Sequence, residues 1–214
     1  MRIATALALG LIAASCNHSG IELTRYHEDG RAKPVVAVAS MIDTTSFDMP
    51  WSISEELTNM ITRQIAQSKT IYVNLKDDFS FSENPFGADL SWVKREFPNQ
   101  EFVVFLELVE HEAVPAVEGK KVPKNVSPCE FSTNLKMAVR VRVVDARPSS
   151  PKVVLQEIVR DTYFIPKSIL PTDYSQVVWG TPEYVNSPMG IAHRQLTDQI
   201  VSRVSDYILL AKSR

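Results

Sequence analysis

Only a few side chains in this sequence could do chemistry. There are two cysteines, Cys16 and Cys129, and four histidines, at positions 18, 27, 111 and 193. Glu110-His111-Glu112 sets two carboxylates beside an imidazole, a combination that binds metal or moves protons when the groups converge. On a strand, alternation sends both carboxylates to the face opposite the imidazole. The run therefore reads as a solvated strand end. His193-Arg194 falls in the first turns of a C-terminal helix and suits a capping or surface position. A hydrolase with an unrecognised site would have to draw on Asp77-Asp78, Glu110, Glu112 or His193. HExxH, CxxC, GxSxG, P-loop and GxGxxG patterns are all missing from the sequence. Its seven glycines are too few for a phosphate-cradling loop. Cys129 reads as a half-buried thiol. The expectation is a protein that is not an enzyme, with no cofactor and no metal.

These residues sit on a regular series of elements. Val35 to Ala39 is a continuous apolar run, as in a strand buried on both faces. Ser52 and Glu55 form a capping box. Behind it Leu57, Met60, Ile61 and Ile65 recur at helical spacing, so 53–67 is an amphipathic helix. Met49-Pro50-Trp51 leads into that helix, with Trp51 placed as a hydrophobic staple. Ile71 to Leu75 is a second strand. A short helix with Leu90, Val93 and Phe97 on one face stops at Pro98. Phe102 to Glu112 is a third strand. In 133–144, Leu135, Met137, Val139, Val141 and Val143 alternate with Lys136, Arg140 and Arg142, which predicts one buried and one wet face. A turn at 145–151 returns the chain as an antiparallel strand, 153–164, with Glu157 and Asp161 available to Arg140 and Arg142. Ser187 and Pro188 open a long helix whose stripe is Ile191, Leu196, Ile200, Val204, Ile208 and Ala211. The order β-α-β-α-β-β-β-α predicts an α+β fold: one mixed sheet of about five strands, flanked by two or three helices, the last lying across it.

The chain has 214 residues, 44% of them apolar and 22% charged, which suits one globular domain. A net charge of −2 argues against a nucleic-acid partner. Two cysteines cannot build a disulfide framework. Arg2 followed by an apolar run from Ile3 to Ala14 and then Ala13-Ala14-Ser15-Cys16 is the layout of a secretory signal, with a run too short for a membrane span of about 20 residues. The small-small-Cys ending resembles the lipobox of bacterial lipoproteins, with Ala13 where leucine is usual. That resemblance implies cleavage before Cys16 and lipidation (palmitate included) at Cys16. Asn17, rather than aspartate, implies the outer membrane, on its periplasmic side. The expected organisation is a signal peptide at 1–15, a lipidated cysteine and flexible tether at 16–33, and a single αβ domain at 34–214.

Val35–Met41, Leu57–Ile65 and Ile71–Leu75 follow one another in a rhythm with a known counterpart. Over about 34–165 the chain resembles the periplasmic αβ domain of penicillin-binding-protein-activator and curli-secretion-type lipoproteins and of the TolB N-terminal domain. The resemblance implies docking within an envelope complex, without catalysis. Two long connections, 113–132 and 165–187, are candidate docking loops. Lys120 and Lys121 in the first, and Tyr174, Trp179 and Tyr184 in the second, are the expected partner-binding residues. The expected function is thus a membrane-anchored adaptor or assembly factor with an envelope protein partner. The alternative is a carrier of lipid or another envelope component, with an apolar pocket between the sheet and the C-terminal helix.

Overall fold

The computed structural model describes residues 24–73, 81–116, 132–166 and 172–214. Cys16, Asp77, Asp78, Lys120, Lys121 and Cys129 lie outside the described residues. The elements are β1 (Val35–Val38), β2 (Ile42–Asp43), α1 (Ile53–Gln67), β3 (Tyr72–Val73), α2 (Val93–Glu96), β4 (Phe102–Pro115), β5 (Thr133–Asp145), β6 (Lys152–Ile165), α3 (Pro182–Val185) and α4 (Pro188–Lys212). They form one mixed, six-stranded sheet in the order β3-β1-β4-β5-β6, with β2 also paired to β4. β3, β1 and β2 run parallel to their neighbours, and β4-β5-β6 is an antiparallel meander. This is the expected α+β fold.

Both long helices start at the expected caps. Ser52 Oγ accepts from the Glu55 amide at 3.1 Å. Ser187 Oγ accepts from the Gly190 amide at 3.1 Å. α1 and α4 cover one face of the sheet. Ile53, Leu57, Ile61 and Ile65 of α1 meet Leu196, Ile200, Val204 and Ile208 of α4 over β1, β4 and β5. Each such side chain, fully buried, contributes about 1.5–3 kcal/mol. The α4 stripe includes His193 and Thr197, both fully buried, whereas Ile191 is exposed.

The opposite face is not simply wet. Residues 81–97 fold across it and form a second core, in which Trp92, Val93 and Phe97 pack on Ala37, Val103, Phe105 and Val144. Arg142, expected on a solvated face, is therefore buried. Its guanidinium donates to the Pro85, Gly87 and Phe86 carbonyls at 2.8, 2.7 and 3.0 Å and to Gln156 Oε1 at 2.7 Å. It does not pair with Glu157 or Asp161. Arg140 instead pairs with Glu107 at 2.9 Å, and Glu157 pairs with Arg203 at 3.1 Å. Toward the N-terminus, 24–33, assigned from sequence to the tether, is a folded hairpin closed by a Tyr26–Ala32 bridge. Among the described residues no helix is long and apolar enough to cross a membrane.

Arg142 pins the 84–87 loop through a fork that lysine cannot reproduce. Arg142→Lys is expected to speed amide exchange at Phe86 and Gly87 while leaving exchange in α4 unchanged, as read by hydrogen–deuterium exchange.

Candidate functional site

The polar groups that sequence reasoning left at the surface meet inside the first core. Glu56 lies in the first turn of α1, one residue before Leu57, and is completely buried. Its carboxylate takes three donors. Trp51 Nε1–H donates to Oε2 at 2.8 Å, and the Tyr184 hydroxyl donates to Oε1 at 2.7 Å. His193 Nδ1 lies 2.8 Å from the same Oε1 and 2.9 Å from the Tyr184 oxygen. A carboxylate only accepts, so His193 carries its proton on Nδ1. Its Nε2 then faces His111 Nε2 at 2.9 Å. With both rings neutral, His111 Nε2–H donates to His193 Nε2. His111 Nδ1 is left as a bare, buried lone pair with no partner. The Phe47 ring stands edge-on to His111, with centroids 4.4 Å apart.

Local structure explains each placement. Trp51 and Glu56 occupy the two staple positions of α1, but a hydrogen bond replaces the expected apolar contact. His111 faces the helices because β4 carries a bulge between Leu108 and Glu110. Val109 and Glu110 together oppose Ala138, so the alternation slips by one and His111 joins the Leu106–Leu108 face. The expectation of a solvated strand end fails for that reason, and His111 is 4% exposed. His193 likewise sits at 0% exposure, not at the surface. Its signal was its spacing: Met189, His193, Leu196 and Ile200 form one helical stripe. Tyr184 reaches Glu56 because α3 and α4 touch at Gly190. Any Cβ there would run into the Tyr184 carbonyl.

Tyr184, expected to bind a partner, is 3% exposed and belongs to this core. Burial and the Glu56 charge raise its hydroxyl pKa. Tyr174 and Trp179 are half-buried against the same core. Trp51, Tyr174 and Tyr184 meet as three edge-to-face rings, with centroids 5.3 to 6.5 Å apart. The 172–187 connection thus folds back as a cover over Glu56.

A Glu–His–His chain can relay a proton. Here its outer end, His111 Nδ1, opens onto protein and not solvent. Burial, with His193 adding to it, pushes the His111 imidazole from its usual 6.5 down to about 3. Among the described residues no group of three or more His, Cys, Asp or Glu could hold a metal ion. What the arrangement does is join α1, α3, α4 and β4 through one carboxylate.

Two measurements check this. Glu56→Ala strands three buried donors and is expected to remove about 3–5 kcal/mol, lowering the melting temperature by about 10 °C. The folded state also refuses a proton that the unfolded chain binds at His111 below pH 6.5. Stability should therefore fall from pH 6.5 toward 4, by on the order of 3 kcal/mol, and His111→Gln should flatten that slope in urea titrations.

Comparisons with known proteins complete the picture. A family of unknown function, DUF7499, matches over residues 22–212. A hypothetical protein from Chlamydia trachomatis has a similar structure, with TM-score 0.65 and 25% identity, covering 83% of this chain and 98% of its own. A looser likeness, with TM-score 0.40 and 11% identity over 81% of this chain and 99% of the other, is to a lipoprotein from Neisseria meningitidis. No curated protein matches the chain.

Proposed function

The chain belongs to that DUF7499 family of unknown function, and we propose that it is a membrane-anchored envelope lipoprotein that acts without catalysis, as a protein-binding adaptor or assembly factor. The observation that carries the non-catalytic reading is burial. The strongest acid–base group described, Glu56–His193, has no exposed side-chain surface, so a substrate has no approach to it. The anchor rests on the sequence: a signal-type segment ending at Cys16, with lipidation there and outer-membrane, periplasmic placement. Lys120 and Lys121 remain candidate partner contacts, and so do the exposed edges of Tyr174 and Trp179. Tyr184 does not, because it is buried.

Exposure on the outer strand supports one further candidate docking face. β6 is the outer strand of the sheet. On its side away from the helices, Val153, Ile158 and Phe164 are 42%, 48% and 63% exposed. Three exposed apolar side chains, set among Gln156, Arg160 and Thr162 on the same face and beside an open strand edge, suit a protein partner. The alternative, a lipid carrier with a pocket under α4, fits less well. Leu196, Ile200, Val204 and Ile208 fill that space at 0% exposure.

Fatty-acid labelling is expected for the native chain and to disappear in Cys16→Ala; a fully labelled variant contradicts the anchor. A photo-crosslinker at position 158 is expected to capture one envelope protein. Phe164→Glu should reduce that capture several-fold with the melting temperature unchanged, and undiminished capture contradicts this docking face.

A further inference from the structure

One end of the fold combines a basic surface with the route by which the chain leaves toward Cys16. The 24–33 hairpin, the end of α1, the β5–β6 turn and the last turn of α4 meet there. A shallow groove of about 940 Å³ is lined by Tyr26, Arg31, Lys33 and Lys69. A second, of about 430 Å³, shares Arg31 and adds Leu209 and Lys212. The carboxylates at this end are largely spoken for: Asp29 pairs with Arg31, Glu101 with Lys212 and Asp145 with Arg147, at 2.6 to 2.7 Å. Arg25, Lys69, Lys94, Lys152 and Arg214 stand beyond those pairs, against Glu28; Lys33 is buried beneath them, its Nζ donating to Thr24 Oγ1 at 3.2 Å. Tyr26 and Leu210 are 62% and 52% exposed among them. The other end of α1 carries the opposite sign, with Asp43, Asp48, Glu55 and Glu183. A net charge of only −2 thus hides a polarised molecule.

We infer that this basic end is a membrane-apposed surface whose ligand is the anionic headgroup layer of the bilayer that holds the chain. The inference rests on the lipoprotein reading for its geometry. Seven residues separate Cys16 from Thr24, and the eight steps from one to the other reach about 28 Å at full extension. The hairpin end is therefore the part of the domain nearest the anchor. Within about 8 Å of an anionic surface, a cluster of Lys and Arg is attracted and the acidic end is repelled. Tyr26 and Leu210, amphipathic and apolar, suit the interfacial layer. The charge separation then orients the domain, turning Tyr174, Trp179 and the end of the molecule opposite the hairpin away from the membrane.

The test uses the native lipidated chain in a Cys129→Ser background, carrying a dye at Gln67→Cys or at Ser46→Cys. Both positions are exposed, Gln67 as the last residue of α1 and Ser46 in the loop that leads from β2 to its start. The protein is reconstituted in phosphatidylcholine vesicles with or without about 30% phosphatidylglycerol, and energy transfer to a headgroup acceptor is read. Transfer from position 67 should exceed that from position 46 about two-fold or more in the anionic vesicles, and about 0.5 M salt should abolish the excess. Lys69→Glu/Lys152→Glu/Arg214→Glu should abolish it too, at an unchanged melting temperature. Equal transfer from both positions, or an excess untouched by salt and charge reversal, overturns the inference. Fatty-acid labelling is read on the same preparation. If labelling is missing, the anchor is overturned, and cosedimentation with the two vesicle types decides the surface alone: anionic preference supports it, and no preference overturns it.

Discussion

A carboxylate with no water around it must find donors within the protein, and Glu56 is such a group. Leaving it buried and unpaired would cost several kcal/mol, comparable with the stability of a whole domain. Its donors come from far apart in the sequence: Trp51 before α1, Tyr184 in α3 and His193 in α4. Satisfying it therefore fixes how α4 crosses α1, where the 172–187 connection returns and how closely α3 approaches α4. The last of these explains Gly190, where a side chain would meet the Tyr184 carbonyl. His193 then needs a partner of its own, which β4 supplies through a bulge. The structure accepts one orphaned nitrogen, His111 Nδ1, as the end of this chain of bonds.

Much of the fold is legible in residue pattern, because pattern reports local geometry. Ser52 and Ser187 announce their helices, and the 133–145 and 152–165 strands follow from alternation around a Pro-rich turn. The core network is less legible, for physical reasons. Glu56 and His193 both lie in apolar stripes, at positions where the helical period alone predicts burial, but the period cannot say that they bury together. His111 is harder still. One extra residue at Val109 reverses which face it takes, and nothing in the Glu110-His111-Glu112 run signals the bulge. Arg142 reads as solvated until the 81–97 segment, distant in sequence, covers it. Tyr184 has the composition of an interface residue and the position of a core one.

The functional picture follows from where reactive and recognising groups end up. The acid–base groups are spent on holding helices to the sheet. The surface, by contrast, has direction. A basic end lies at the hairpin, an acidic end lies opposite, and exposed apolar side chains stand among polar ones along the outer strand. The proposed anchored adaptor would use these features: one face to meet the membrane, another to meet a partner, and a rigid body between them. The shared fold with a hypothetical Chlamydia trachomatis protein, of almost the same extent, shows that this body recurs as a unit.

The central claim is that the Glu56–His193–His111 chain is a sealed scaffold. The most direct measurement is nitrogen-15 NMR of the histidine ring nitrogens as pH is lowered. A sealed scaffold predicts that His111 stays neutral at about pH 5, with a proton on Nε2 and none on Nδ1. A His111 ring that takes up a proton near its ordinary value of 6.5 would show that solvent reaches the chain, and would contradict the account.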